Sequence, residues 1–164
     1  MKILLAVDGS SCSDAAVEEI GRRPWPQGSL VKVLNAFELP LAATPEGWAI
    51  PQSYYREMDV AVRTQARSIV ERALAQLRKI ENRTITIDGQ FIPGSPRAVI
   101  LEEAESWGAD LIVVGSHGYG RWERLLLGSV SQSVVSHAKC SVEVVRCSNP
   151  NQTEASTASK DEKK

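Results

Sequence analysis

The segment from residue 115 to residue 130 carries residue types that are suited to holding a phosphate. It begins with GSHGYG at residues 115–120 and closes with Gly128, Ser129 and Val130. Glycine permits a positive φ and lets a ligand approach main-chain N–H groups without a Cβ in the way. Consecutive N–H groups in such turns bind anions, and a helix that begins at Ser129 would add its own unpaired N–H groups. The pattern favours a polyphosphate site, and a surface loop punctuated by glycines is the alternative.

Two further side chains have open roles. His117 could bond a phosphate or ribose oxygen, or simply fill the turn in which it lies. Asp8 ends the apolar run Ile3–Val7 and is either a ligand or a turn residue before a helix. The sequence contains no G-x-x-x-x-G-K-[ST] motif, so no lysine is set to neutralise a transferring phosphate. The residues therefore predict binding, and we assign no catalytic residue.

Five apolar or alternating runs predict strands, at residues 3–7, 30–36, 84–92, 111–114 and 141–146. Between them, three- and four-residue spacings of apolar side chains predict helices near 11–21, 54–81, 96–107 and 129–138. Strands that alternate with helices indicate an α/β fold with a parallel sheet and helices on both faces. In such sheets, ligands bind beyond the carboxyl ends of strands where the strand order reverses. We expect one domain over residues 1–147.

The composition restricts the classes of function. The 164 residues are 43% hydrophobic and 24% charged, and 19 Lys+Arg against 20 Asp+Glu leave a net charge of −1. No positive field favours a nucleic acid, and no apolar run is long enough for a membrane span or signal peptide. Three cysteines without a C-x-x-C pair predict reduced thiols in the cytoplasm and no metal site. The polar residues 148–164 predict a disordered tail.

The spacing Gly115-x2-Gly118-x9-Gly128-Ser129 resembles the ATP-binding motif of the universal stress protein family. Further similarity lies in residues 7–10, 94–100, 108–118 and 128–134, and the resemblance covers residues 1–147. It implies a Rossmann-like domain whose five-stranded parallel sheet has the order 3-2-1-4-5. That order would place the carboxyl ends of the first and fourth strands side by side.

The resemblance also implies a ligand and its contacts. ATP would be bound with Mg2+ carried by its phosphates, and the protein would act as a nucleotide-dependent regulator in stress adaptation. The residues implied at the phosphates and ribose are Gly115, Gly118, Gly128, Ser129 and the main chain of Val130. Asp8 would lie near the adenosine, and the backbone of Ala36 near the adenine.

The family likeness further implies a homodimer through the strand at 141–146, where Glu143 and Arg146 could pair across a two-fold axis, and a protein partner that the sequence does not identify. Two alternatives remain. One is a dimeric interaction module of the same fold that binds no nucleotide, and the other is a slow ATPase or phosphotransferase.

Overall fold

The computed structural model describes residues 1–39, 52–79, 85–118 and 127–147 of the chain. Within these ranges, five strands alternate with four helices. The strands are β1 (Lys2–Ala6), β2 (Ser29–Phe37), β3 (Ile85–Pro93), β4 (Leu111–Gly115) and β5 (Ser141–Val145). The helices are α1 (Ser11–Arg22), α2 (Gln52–Lys79), α3 (Pro96–Trp107) and α4 (Ser129–His137). The α/β prediction is confirmed, and the element ends differ from the predicted ones by only one or two residues.

The five strands form one parallel sheet in the order β3-β2-β1-β4-β5, as predicted. Ile3 at the centre pairs with Val31 of β2 on one side and with Leu111 of β4 on the other. The chain proceeds from β1 to β2 and β3 in one direction and then continues with β4 and β5 in the other. The strand order therefore reverses between β1 and β4, where a crevice opens at the carboxyl ends of the strands.

Both faces of the sheet are covered by helices because the central strands are apolar on both faces. One buried cluster joins Ile3, Leu5 and Val33 of the sheet to α1 and α2. The other joins Leu4 and Ile112 to α3 and α4. Each helix thus buries one apolar stripe against the sheet. In the described ranges, no helix combines the length and the apolar character needed to cross a membrane.

The segment after β5 is joined to α1 by a disulfide between Cys12 and Cys147, whose Cα atoms are 4.6 Å apart. The prediction of three reduced cysteines is therefore wrong. The physical cause is strand register, because Val145 lies opposite Gly115 and accepts a 2.7 Å hydrogen bond from the main-chain N–H of Ser116. The chain beyond β5 is thereby brought to the first turn of α1. Cys140 is a free thiol, and burial raises its pKa.

A charged pair also connects α1 to β5. The two terminal guanidinium nitrogens of Arg23, Nη1 and Nη2, donate to the carboxylate of Glu143 at 2.6 and 2.7 Å. This contact raises the pKa of Arg23. Bidentate geometry of this kind gives the stronger class of charge-assisted hydrogen bonds. The suggested pairing of Glu143 with Arg146 of a second copy stays a prediction, and Glu143 already has Arg23 as a partner within its own chain.

Candidate functional site

A cavity of about 550 Å³ opens at the carboxyl ends of β1 and β4, where the strand order reverses. This volume lies within the range of small-molecule sites. The structure places every residue that the sequence proposed for ligand binding on the lining of this cavity. These residues are Asp8, Ala36, Gly115, His117, Gly118, Gly128, Ser129 and Val130. The topology therefore brings together three segments that lie far apart in the chain, although the binding role of each residue stays a prediction.

Part of the cavity lining, here called the apolar end, consists of apolar side chains, and sequence analysis missed the residues that form it. They are Ala6, Leu34, Pro96, Ile100 and Val114. Leu34 and Ala36 alternate with Asn35 along β2, so their side chains point to the face that α3 and α4 cover. In the sequence the missed residues look like ordinary core positions. Only the predicted reversal of strand order could have indicated that they line a cavity. Their apolar side chains suit an apolar group of a ligand.

The part of the lining at the start of α4, here called the main-chain end, is built from main chain. Gly128 is the N-cap of α4, and its own N–H donates to the carbonyl of Ser116 at 2.7 Å. The buried hydroxyl of Ser131 also donates to that carbonyl, at 3.0 Å. The N–H groups of Ser129 and Val130 lie in the first helical turn, where no intrahelical acceptor exists for them. Together with the positive end of the helix dipole, they form a site suited to an anion.

The glycines of this site are required for close approach rather than for an unusual backbone conformation. In the described residues, positive φ values occur at Gly9, Gly28, Gly94 and Gly108. Gly115, Gly118 and Gly128 are not among them, so the positive φ that glycine permits is not used at these three positions.

Gly115 and Gly118 serve different purposes. A Cβ on Gly115 would lie 2.8 Å from the main-chain carbon of Cys12. A Cβ on Gly118 would lie 2.7 Å from Oδ2 of Asp8. Gly115 therefore allows β4 to pack against α1, whereas Gly118 leaves room beside the cavity.

The carboxylate of Asp8 is oriented by the turn that follows β1. Its Oδ1 accepts a 2.9 Å hydrogen bond from the N–H of Ser10, while Oδ2 lies beside Gly118. The side chain of Asn35 donates to the carbonyl of Val7 at 2.7 Å and fixes the start of this turn. The carboxylate consequently faces the glycine side of the cavity. It can accept hydrogen bonds from a ligand's hydroxyl groups or contact a cation.

His117 connects the turn that follows β1 with the segment that follows β4. Its main-chain carbonyl accepts a 3.2 Å hydrogen bond from the hydroxyl of Ser10, in the β1–α1 turn. Its ring Nδ1 lies 3.1 Å from the hydroxyl of Ser116. His117 thus fills the turn and at the same time lines the cavity, so the two sequence interpretations are compatible.

Part of the predicted phosphate segment, residues 119–126, falls outside the described residues, and so does the predicted tail at 148–164. Within the described residues, no group of three or more His, Cys, Asp or Glu side chains is arranged to hold a metal ion.

A doubly wound parallel sheet with a glycine-lined cavity where its strand order reverses defines an α/β protein of the Rossmann-like class. The chain belongs to the universal stress protein family, whose family model matches residues 1–146. The putative universal stress protein SH1215 of Staphylococcus haemolyticus is 29% identical over 150 residues, which cover 88% of this chain and 83% of that protein.

Solved structures share this fold. The protein MJ0577 superposes with a TM-score of 0.75 at 24% identity, over 90% of this chain and 96% of that one. A universal stress protein family protein from Arabidopsis thaliana, solved with AMP bound, gives 0.65 at 21% identity, over 96% and 98% of the two chains. A universal stress protein in complex with cAMP gives 0.65 at 22% identity, over 90% and 98%. At these identities the likeness establishes the fold.

Proposed function

We propose that this protein binds ATP in the cavity between β1 and β4 and acts as a nucleotide-dependent regulator in stress adaptation. The domain would span residues 1–147, and the protein would work in the cytoplasm with a protein partner. The observation that carries the proposal is the two-ended cavity, which is apolar at Leu34 and Ala36 and lined by main chain at Gly118 and Gly128. Two structural neighbours that contain AMP and cAMP add support for an adenine nucleotide.

The apolar end matches an adenine ring. Leu34, Ile100 and Val114 offer apolar contact surfaces, and the small side chain of Ala36 would leave room for a ligand to approach the backbone at the end of β2. Burial of an aromatic base against such side chains is favourable, and main-chain groups can recognise its polar edge. The Asp8 carboxylate, held by the N–H of Ser10, would accept hydrogen bonds from ribose hydroxyls.

The main-chain end matches a polyphosphate. The first turn of α4 offers N–H groups and the positive end of a dipole, and Ser129 adds a hydroxyl donor. Gly118 and Gly128 let phosphate oxygens approach the backbone closely. His117, which lines the cavity, can donate a further hydrogen bond. Because each added phosphate meets more of these donors, we expect ATP to bind more tightly than AMP.

The cavity also fits Mg2+ delivered by the nucleotide. Mg2+ prefers oxygen ligands and is commonly held by one or two carboxylates together with substrate phosphates. The Asp8 carboxylate and the Ser129 hydroxyl are oxygen donors on this lining. The cation would offset the repulsion between Asp8 and the phosphates. When bound with the nucleotide, Mg2+ would neutralise phosphate charge, while residues of the chain would make the binding contacts.

The test of this proposal is direct. Protein purified and then denatured should release ATP or ADP on chromatography, and calorimetry should show Mg-ATP binding more tightly than AMP. A protein that releases no nucleotide and binds none at about 1 mM ATP would instead be the interaction module. Turnover faster than about one per minute, lost when Gly118 is replaced, would instead indicate the ATPase.

The exposed edge of β5 supports a homodimer. In the described part of the sheet, β5 pairs with β4 alone, so its outer edge presents unpaired main-chain groups. The carbonyl of Val145 points to β4. The main-chain N–H and C=O groups of successive strand residues point to alternate sides, so those of Val144 face the outer edge. Such an edge is a template for pairing with another chain. We propose that residues 141–146 of two copies pair across it.

Replacing Val144 with proline should weaken this dimer, because proline removes an edge N–H without touching the hydrogen bonds to β4. Sedimentation equilibrium should show a dimer dissociation constant at least about fivefold higher than that of the original chain. The control is Val60→Lys, which changes an exposed apolar residue on α2. A Val144→Pro protein that dimerises as before would place the interface elsewhere.

A further inference from the structure

The disulfide between Cys12 and Cys147 lies directly behind the cavity. Cys12 is in the first turn of α1 and is 3% exposed, whereas Cys147 is partly exposed. The hydroxyl of Ser116 donates to Sγ of Cys12 at 3.7 Å, and the ring Nδ1 of His117 lies 3.1 Å from that same hydroxyl. A chain of two polar contacts therefore connects the sulfur to a side chain that lines the cavity.

Ser116 connects the disulfide to the main-chain end of the cavity as well. Its N–H donates to the carbonyl of Val145, two residues before Cys147. Its carbonyl accepts from the N–H of Gly128 and the hydroxyl of Ser131 at the start of α4. Any shift of α1 or of the chain after β5 acts on the residue that positions the first turn of α4.

We propose that Cys12 and Cys147 form a thiol–disulfide switch that sets the affinity of the cavity for an adenine nucleotide. The inference rests on the proposed function, since it concerns control of that same site. The crosslink holds the first turn of α1, and with it the turn that carries Asp8, against β4 and the chain after β5. The oxidised protein is therefore preorganised and binds the nucleotide more tightly than the reduced protein. A cytoplasmic disulfide is itself most often redox-sensing.

The reducing partner is a dithiol, and the exchange balances. A thiolate of the dithiol attacks Sγ of Cys147, the more exposed sulfur, and the Cys12–Cys147 bond breaks. The electron pair leaves with Cys12, which lies in the first turn of α1, where the helix dipole favours a thiolate. The second thiolate of the dithiol then attacks the mixed disulfide, closing the dithiol's own disulfide and releasing Cys147. Two electrons and two protons pass from the dithiol to the two cysteines.

The test compares ATP binding to air-oxidised protein and to protein reduced with dithiothreitol, by calorimetry at a temperature where circular dichroism shows both folded. We expect the dissociation constant to rise about fivefold on reduction. Cys147→Ser should bind like the reduced protein in both conditions. Cys140→Ser is the matched control and should keep the full redox response, because Cys140 is a free thiol.

Each outcome has a distinct meaning. Equal binding in both states overturns the switch and leaves the proposed function standing, whereas binding in neither state overturns both. A Cys12–Cys147 peptide that is missing from a digest of the oxidised, thiol-blocked protein also overturns the switch.

A reciprocal measurement separates regulation from simple crosslinking. If the disulfide tightens ATP binding fivefold, then saturating ATP must favour the disulfide by the same factor. Equilibration in dithiothreitol buffers should therefore give a midpoint potential about 20 mV more negative with ATP than without it. A merely structural disulfide would give the same potential in both, which would contradict the proposal.

Discussion

Replacing Gly115 with alanine should lower the free energy of unfolding by about 2 kcal/mol. The new Cβ would lie 2.8 Å from the main-chain carbon of Cys12 and 2.9 Å from the N–H nitrogen of Ser13. These are backbone atoms of α1, so the helix itself must move. Overpacking of this kind costs about 1–3 kcal/mol, which exceeds the few tenths that alanine gains by restricting the unfolded chain. Urea denaturation measures the difference, and the melting temperature should fall by about 4–8 °C.

Gly128→Ala is the matched control for this experiment. A Cβ there would lie 3.3 Å from the Ser116 carbonyl oxygen, and φ is −70°, a conformation that alanine adopts readily. Its cost should stay below about 1 kcal/mol, mainly because alanine is a poor N-cap. If Gly115→Ala proved as stable as the original chain, α1 could not lie as close to β4 as described.

The fold could be predicted from sequence because its signals are local and repeated. Ile3–Val7 and Leu111–Val114 are continuous apolar runs, which strands buried on both faces require. The alternation of such runs with helical patterns leaves little besides a parallel sheet with crossovers. The resemblance then supplied the strand order, and the sheet confirms it.

The reasons for the glycines could not be predicted, because spacing does not reveal what approaches each one. Gly115 and Gly118 belong to one motif and look equivalent in the sequence. Only the packed structure shows that one meets the backbone of α1 and the other meets the Asp8 carboxylate. Neither glycine has a positive φ, so the neighbouring atoms rather than the backbone conformation account for a small residue at each position.

Contacts between α1 and the distant segment around β5 were also beyond sequence reasoning. Cys12 and Cys147 are 135 residues apart, and three cysteines without a motif give no preferred pairing. The pairing depends on the register of β5 against β4, which one residue of slippage would change. The same register brings Glu143 to Arg23, a contact that the sequence did not indicate.

Gly118→Val is expected to weaken ATP binding at least about tenfold, or about 1.4 kcal/mol, while the fold survives. The valine would fill space beside the main-chain end of the cavity, where the phosphates are proposed to lie. Its Cβ would also meet Oδ2 of Asp8 at 2.7 Å and turn that carboxylate away from the ribose. The clash is with the far end of a side chain rather than with backbone, so stability should change little. Calorimetry with Mg-ATP and urea denaturation measure the two effects separately.

Gly28→Val provides the opposite control, because a Cβ there meets nothing within 4 Å but φ is +79°. That strained conformation should lower stability by about 1–2 kcal/mol and leave the ATP dissociation constant unchanged. The two variants together separate loss of binding from loss of folding. If Gly118→Val kept its full affinity for ATP in a folded protein, the phosphates could not lie against this glycine, and the proposed orientation of the nucleotide would be wrong.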